Sequence, residues 1–117
     1  MNLEDIRIRL AEFARARNWD QFHTPKNLSM ALAAVAAELL EIFQWLTDEQ
    51  SKSIVDDEKE MVLVRREIAD VFIYLTRLAD KLGVDIERAV LDKIVENEKK
   101  YPVELAKDNA IKYNKRS

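Results

Sequence analysis

The sequence predicts an all-α protein, a four-helix bundle that assembles as a homo-oligomer. Its 117 residues contain one Gly and two Pro, so little interrupts the chain. Apolar residues recur three and four apart through long segments, and the polar residues that start and stop helices stand where that pattern breaks. Four such helices with short connections make a bundle the default architecture. At this length one domain over 1–117 is expected, with 103–117 as a C-terminal arm, and no internal repeat, low-complexity tract or domain boundary is visible.

Asn2 is placed to cap a first helix in which Leu3, Ile6, Leu10, Phe13 and Ala14 form one stripe, running to about Arg17. Asn18-Trp19-Asp20-Gln21-Phe22-His23 breaks the pattern and reads as a connection. Thr24-Pro25 is an N-cap followed by a first-turn proline, starting a second helix that lasts to about Leu46. The polar stretch from Thr47 to about Val55 reads as a loop. A third helix from about Asp57 carries Met61, Val64, Ile68, Val71, Phe72 and Leu75, and stops at Gly83, the natural left-handed terminator. Asp85 caps a fourth helix from Ile86 to about Lys100, which Pro102 keeps from continuing, and the polar, basic tail beyond it reads as a short helix or an arm.

Composition narrows the chemistry. Without Cys there are no disulfides, thiolate zinc sites, iron–sulfur clusters or cysteine nucleophiles. One His disfavours a His-rich metal site or a Ser-His-Asp triad, and one Gly excludes the glycine-rich phosphate loops. A net charge of −3 with 19 basic and 22 acidic residues argues against a nucleic-acid binder. The opening MNLEDIRIRL is not a signal peptide, and the apolar run Met30–Trp45 is broken by Glu38 and Glu41, so a cytoplasmic protein without a membrane span is expected.

The second helix is the most informative segment. Between Met30 and Trp45 its only polar side chains are Glu38, Glu41 and Gln44, which predicts a helix buried nearly all round with those three on one inward or partly inward stripe. The plainer alternative makes them its one solvated edge, since Glu is almost never fully buried unless paired. The third helix adds Glu67 and Asp70, again three apart, ahead of the apolar run Val71-Phe72-Ile73-Tyr74-Leu75. Two carboxylate pairs on neighbouring helices repel unless a cation lies between them, and hard divalent cations take oxygen ligands. Di-iron bundles need Glu-x-x-His on two helices, and the one His, His23, lies in a connection, so Mg²⁺ or Mn²⁺ is the better match.

On the fourth helix Lys93, Asn97 and Lys100, with Tyr101 beside them, form a face of donors suited to phosphate oxygens, although such faces are commonly just solvated. Trp19 and Trp45 are either packing residues or platforms for a base, with His23, Lys26 and Asn27 as polar readers nearby.

Together the segments Trp19-Asp20-Gln21-Phe22-His23-Thr24-Pro25-Lys26-Asn27-Leu28, Glu38-Leu39-Leu40-Glu41-Ile42-Phe43-Gln44-Trp45, Glu67-Ile68-Ala69-Asp70-Val71 and Lys93-x-x-x-Asn97-x-x-Lys100-Tyr101-Pro102 carry a resemblance. In that order they resemble the MazG-like all-α nucleoside triphosphate pyrophosphohydrolases, most closely the dCTP pyrophosphatase branch, from Leu3 to about Tyr113. The resemblance implies Mg²⁺-dependent hydrolysis of (deoxy)nucleoside triphosphates to monophosphate and pyrophosphate, for nucleotide-pool housecleaning, in a dimer or tetramer. By position it implies Mg²⁺ on Glu38, Glu67 and Asp70, phosphates on Lys93, Asn97, Lys100 and Tyr74, and a base between Trp19 and Trp45. One position departs: the family's usual Glu one turn before Glu38 is here Val35. Either Glu41 serves instead, making Glu38, Glu41, Glu67 and Asp70 the catalytic and metal-holding set, or the site is weakened and the protein is a non-catalytic nucleotide-binding or oligomerisation module. A carboxylate redox bundle is a third reading, disfavoured by the lack of a helical His.

Overall fold

The structure is a computed structural model that describes residues 1–111. Every regular element among the described residues is helical: α1 (Leu3–Ala16), α2 (Pro25–Phe43), α3 (Asp48–Ser53), a 3₁₀ turn (Ile54–Asp56), α4 (Glu58–Leu82), α5 (Ile86–Lys100) and α6 (Val103–Ala106). The third and fourth helices read from sequence are therefore α4 and α5. The tail beyond Pro102 begins with the short α6, and the rest of the expected arm, from residue 112, lies outside the described residues.

The boundaries are set by side chains capping backbone three residues on. Asn2 Oδ1 accepts the Asp5 N–H at 2.9 Å and Asp5 Oδ2 accepts the Asn2 N–H at 3.4 Å, a reciprocal capping box. Thr24 Oγ1 accepts from Asn27 at 3.1 Å, Asp57 Oδ1 from Glu60 at 3.2 Å and Asp85 Oδ1 from Arg88 at 3.1 Å. Gly83 ends α4 at φ 67°, ψ 28°, the left-handed conformation in which a side chain is strained.

Two expectations are corrected. The stretch from Thr47 is not a loop: Thr47 Oγ1 accepts the Gln50 N–H at 3.1 Å, Gln50 Oε1 accepts the Thr47 N–H at 2.9 Å, and this box starts α3. The Thr-x-x-Gln signature was present in the sequence, but six residues are too few for an apolar period to show. Nor is α2 buried all round. Leu28 and Val35 are its buried residues, whereas Met30 is 53% exposed and Leu40 58%. Within one chain α2 packs chiefly on α4, and only the face turned to that partner loses its water.

The chain forms two compact units, divided after Val84, where the sequence showed no boundary. In the first, α2 and α1 both pack on α4, and the core is Ala14 from α1, Leu28 and Val35 from α2, and Val64 and Ala79 from α4. The second begins at Asp85 and contains α5 and α6. No side chain of α5 is buried, and Val90, Leu91, Ile94 and Val95 are each about half exposed. No single helix among the described residues is long and apolar enough to cross a membrane.

Candidate active site

The α2–α4 pair is antiparallel, since His23 just before α2 meets Arg77 late in α4 while Glu38 meets Glu67 further back. That pairing gathers the acidic residues. Glu67 is half-buried, and its Oε2 is shut off from solvent without a hydrogen-bond donor. Burial, then the approach of the Glu38 carboxylate to hydrogen-bond range, then the charges of Glu38, Asp70 and Glu41 push the Glu67 carboxyl above its usual range. An anion so placed takes up either a proton or a cation.

The predicted inward stripe of α2 needs correction. Residues three apart on an α-helix step back about 60° each time, so Glu38, Glu41 and Gln44 wind round the helix instead of lining up. All three are exposed, and Gln44 is the C-cap. Glu38 lies nearest the packed face, as its approach to Glu67 requires. Val35, one turn earlier, lies on the packed face itself at 9% exposure. The donor set of four carboxylates, one with an orphaned oxygen, suits a hard divalent cation. Among the described residues, however, no three acidic or histidine side chains are arranged so as to hold a metal ion.

Of the predicted phosphate donors, Tyr74 lies half-buried on α4, one turn beyond Asp70. Lys93, Asn97 and Lys100 share a face of α5, in the second unit. That face is not a run of uncommitted donors, because Glu96 projects into it and pairs with Lys100 at 2.8 Å and Lys93 at 3.4 Å. These two lysines hold the Glu96 carboxyl below its usual range, Lys100 having the larger effect. Tyr101 is the C-cap of α5, its N–H donating to the Asn97 carbonyl at 2.8 Å.

The predicted base-binding residues separate into a built group and a loose one. Asn18, at φ 55°, reverses the chain after α1, and Trp19 then packs edge-on to Phe13 with ring centres 5.6 Å apart, leaving 43% of itself exposed. The His23 ring lies 6.2 Å from the Trp19 ring. Asn27 spends its side-chain amide on the Phe22 carbonyl at 3.0 Å, tying the connection to the first turn of α2. Lys26 is exposed, and Trp45, past the end of α2, is 87% exposed.

Sequence reasoning missed Arg77, whose side chain is only 4% exposed. Its Nη2 donates to Asp20 at 2.9 Å, its Nε to His23 Nδ1 at 3.3 Å and its Nη1 to Asp80 at 3.4 Å. Lys81 adds a second cation on Asp20 at 3.0 Å, and Arg7 of α1 pairs with Asp80 at 2.9 Å. Lys81 and Arg77 hold the Asp20 carboxyl below its usual range. Burial, with the Arg77 charge second, lowers the His23 imidazole against the opposing pull of Asp20. A signal did exist: Glu67, Asp70, Tyr74, Arg77 and Lys81 follow one another at three and four along a single stripe of α4.

An all-helical chain with the half-buried Glu67 meeting Glu38 across an antiparallel helix pair, and an aromatic connection braced by a buried Arg, has a pattern that comparison assigns to a family. The chain belongs to the MazG-like family, which it matches over residues 31–115. It is 45% identical over 111 residues to dCTP pyrophosphatase 1 of Rattus norvegicus and 44% identical over 111 residues to dCTP pyrophosphatase 1 of Homo sapiens. Both alignments cover 95% of this chain and 65% of the relative, so the chain spans about two-thirds of the length of these proteins. A crystal structure of a pyrophosphatase from Archaeoglobus fulgidus DSM 4304 superposes with a TM-score of 0.75 at 42% identity, covering 85% of this chain and 91% of that one.

Proposed function

We propose that the chain hydrolyses (deoxy)nucleoside triphosphates, with dCTP or a modified pyrimidine analogue as preferred substrate, to nucleoside monophosphate and pyrophosphate. The observation that carries this reading is the Glu67 carboxyl, whose Oε2 is buried without a donor and which feels the charges of Glu38, Asp70 and Glu41. The relatives' names support the reaction type. Mg²⁺, or Mn²⁺ in its place, held by Glu38, Glu41, Glu67 and Asp70 would supply charge neutralisation for the phosphate oxygens and the developing pyrophosphate. One carboxylate of the cluster takes the proton of the water that attacks the α-phosphorus.

Lys93, Asn97, Lys100, Tyr74 and Tyr101 are the proposed phosphate donors, the two lysines exchanging Glu96 for phosphate oxygens. Trp19 and Trp45 flank the base, with His23, Lys26 and Asn27 around it. The same reading takes the chain as one domain, a four-helix bundle of α1, α2, α4 and α5, forming a dimer or tetramer that covers the open apolar side of α2. It places the protein in the cytoplasm, clearing surplus or noncanonical nucleotides.

Purified protein incubated with dNTPs and NTPs in Mg²⁺ should yield monophosphate and pyrophosphate, resolved by chromatography and abolished by EDTA. Diphosphate and orthophosphate as products would refute the reaction assigned. The buried Val35, and the absence among the described residues of a three-ligand arrangement, favour one alternative, a non-catalytic nucleotide-binding module. That alternative predicts nucleotide binding by calorimetry with no product.

A further inference from the structure

We propose that Arg77 is a positioning residue for base recognition, clamping the 18–24 connection to α4 and holding His23 as the tautomer whose Nε2–H is aimed at a carbonyl oxygen of the bound base. This inference rests on the nucleotide reading above and assigns a role within it to a residue that does not touch the phosphates.

A guanidinium has only donors. Because Arg77 Nε donates to His23 Nδ1, that nitrogen must present its lone pair, and in the uncharged ring the proton then sits on Nε2. Nε2 makes no hydrogen bond among the described residues. His23 therefore carries a donor with fixed direction and no present acceptor, next to the partly exposed Trp19 ring. A flat apolar ring beside a single oriented donor is suited to a nucleobase that stacks on one and accepts from the other. The 2-carbonyl of a pyrimidine is such an acceptor.

The clamp is rigid for a physical reason. Arg77 is buried at 4% exposure, so its charge is tolerable only while Asp20 and Asp80 face it, and Asp20 is also fixed by Lys81. Three donor–acceptor links, Arg77 to His23, Arg77 to Asp20 and Lys81 to Asp20, thus tie the connection and α4 into one body. The groups facing the imidazole are Arg77, Asp20 and Lys81. Burial first, then the Arg77 charge, lowers the imidazole below its usual value and so disfavours its protonation, with Lys81 adding to this and Asp20 opposing it.

The chain has a single histidine, so its imidazole can be read without assignment ambiguity. Long-range ¹H–¹⁵N spectra of the full chain should show the Nε2–H tautomer, with Nδ1 as acceptor. In Arg77→Met the ring should become a tautomer mixture that protonates at higher pH, while Arg77→Lys, which keeps a donor, should restore part of the wild-type pattern. KM for dCTP should rise about tenfold in Arg77→Met, near the upper end of what one hydrogen bond contributes, with kcat changed much less. His23→Gln, whose amide nitrogen replaces Nε2, should keep more affinity than His23→Asn.

An Nδ1–H tautomer in the wild type, equal KM for His23→Gln and His23→Asn, or a fall in kcat alone would overturn the proposal. Binding of the α,β-imido analogue of dCTP, measured by calorimetry, gives the same comparison without turnover. Loss of turnover with the Gln–Asn difference intact would count against the hydrolase reading only. No nucleotide binding by the wild-type chain would overturn both.

Discussion

Replacing Val35 with Glu tests the proposed metal site directly, because this is where the chain departs from the pattern it resembles and where the structure puts an apolar side chain on the packed face of α2. Val35 is 9% exposed, one turn before Glu38. The change forfeits burial of an isopropyl group, worth about 1.5 kcal/mol. It also adds a carboxyl that burial and neighbouring like charges keep protonated at neutral pH, at a cost of about 3 kcal/mol. Without cation, Val35→Glu should be about 4–5 kcal/mol less stable than the parent, which lowers Tm by about 15–20 °C in a domain of this size.

Adding Mg²⁺ should reverse part of that loss. At about 10 mM, a site of about millimolar affinity stabilises the fold by about 1.4 kcal/mol, and one tightened tenfold by a further ligand by about 2.7 kcal/mol. Circular-dichroism melts in EDTA and in Mg²⁺ measure both, with Val35→Gln as the polar control that brings no charge. The Mg²⁺-induced rise in Tm should be about twice as large in Val35→Glu as in the parent, and should not grow in Val35→Gln. Equal shifts in all three proteins would refute the placement of a cation beside Glu38 and Glu67.

Glu67→Gln should cut turnover at least a hundredfold, yet raise the Tm of the cation-free protein, since an amide can donate to Glu38 and one charge leaves the cluster; activity assays and melts in EDTA check the two effects. The pH dependence follows the same residue. Its folded-state carboxyl titrates above the ordinary value of 4.5, so its contribution to cation-free stability is fully present below that pH and is lost as pH rises through the folded value. Melts in EDTA across that window should show the decline in the parent and lose it in Glu67→Gln. Leu28→Ala, at a position 1% exposed, should cost about 3 kcal/mol by cavity formation and lower Tm with kcat near the parent value when assayed well below the transition. Gly83→Ala should cost about 1–2 kcal/mol, from φ alone, because a Cβ there meets nothing within 4 Å; denaturant titration gives the value.

What could be read from sequence, and what could not, divides by the range of the interaction responsible. The caps at Asn2, Thr24, Asp57 and Asp85 were legible because each joins a side chain to backbone three residues on. The pairing of Glu38 with Glu67 was legible in kind, since two carboxylate pairs on adjacent long helices stand out against an apolar background. Arg77 was legible only as one member of the three-and-four stripe of α4; its burial was not, because it depends on partners 54 and 57 residues away, on a connection whose shape no periodicity specifies. Glu96 has a simpler account: spacing of three and four puts it on the same face as Lys93 and Lys100, so the acid that pairs with both is as local as the donors themselves. That the apolar second helix leaves a face uncovered within one chain was legible in its hydropathy, but which of its residues form that face was not, since hydropathy does not say which side the same chain covers.

On the nucleotide reading proposed above, the stripe along α4 would let one helix serve both ends of the substrate. Glu67 and Asp70 lie toward its N-terminal half and Arg77 and Lys81 toward its C-terminus, with Tyr74 between them. The arrangement also puts the cationic end where the helix dipole favours it. From Glu67 to Arg77 the helix rises about 15 Å, so the acidic cluster and the Trp19–His23 connection are held apart by a continuous hydrogen-bonded backbone with no Gly or Pro in that span. If the proposed assignments hold, triphosphate chemistry at one end and base reading at the other would need no loop to set their distance. By that logic Phe72→Pro, at the middle of the span, should impair dCTP turnover more than a purely local loss of packing would. It removes the helical hydrogen bond of residue 72 and kinks the helix, shifting Arg77, Asp20 and His23 together relative to Glu67. Phe72→Ala, which loses the ring but keeps the backbone straight, separates the two effects: equal loss of turnover in both variants at equal folded fraction would show that α4 does not set the spacing.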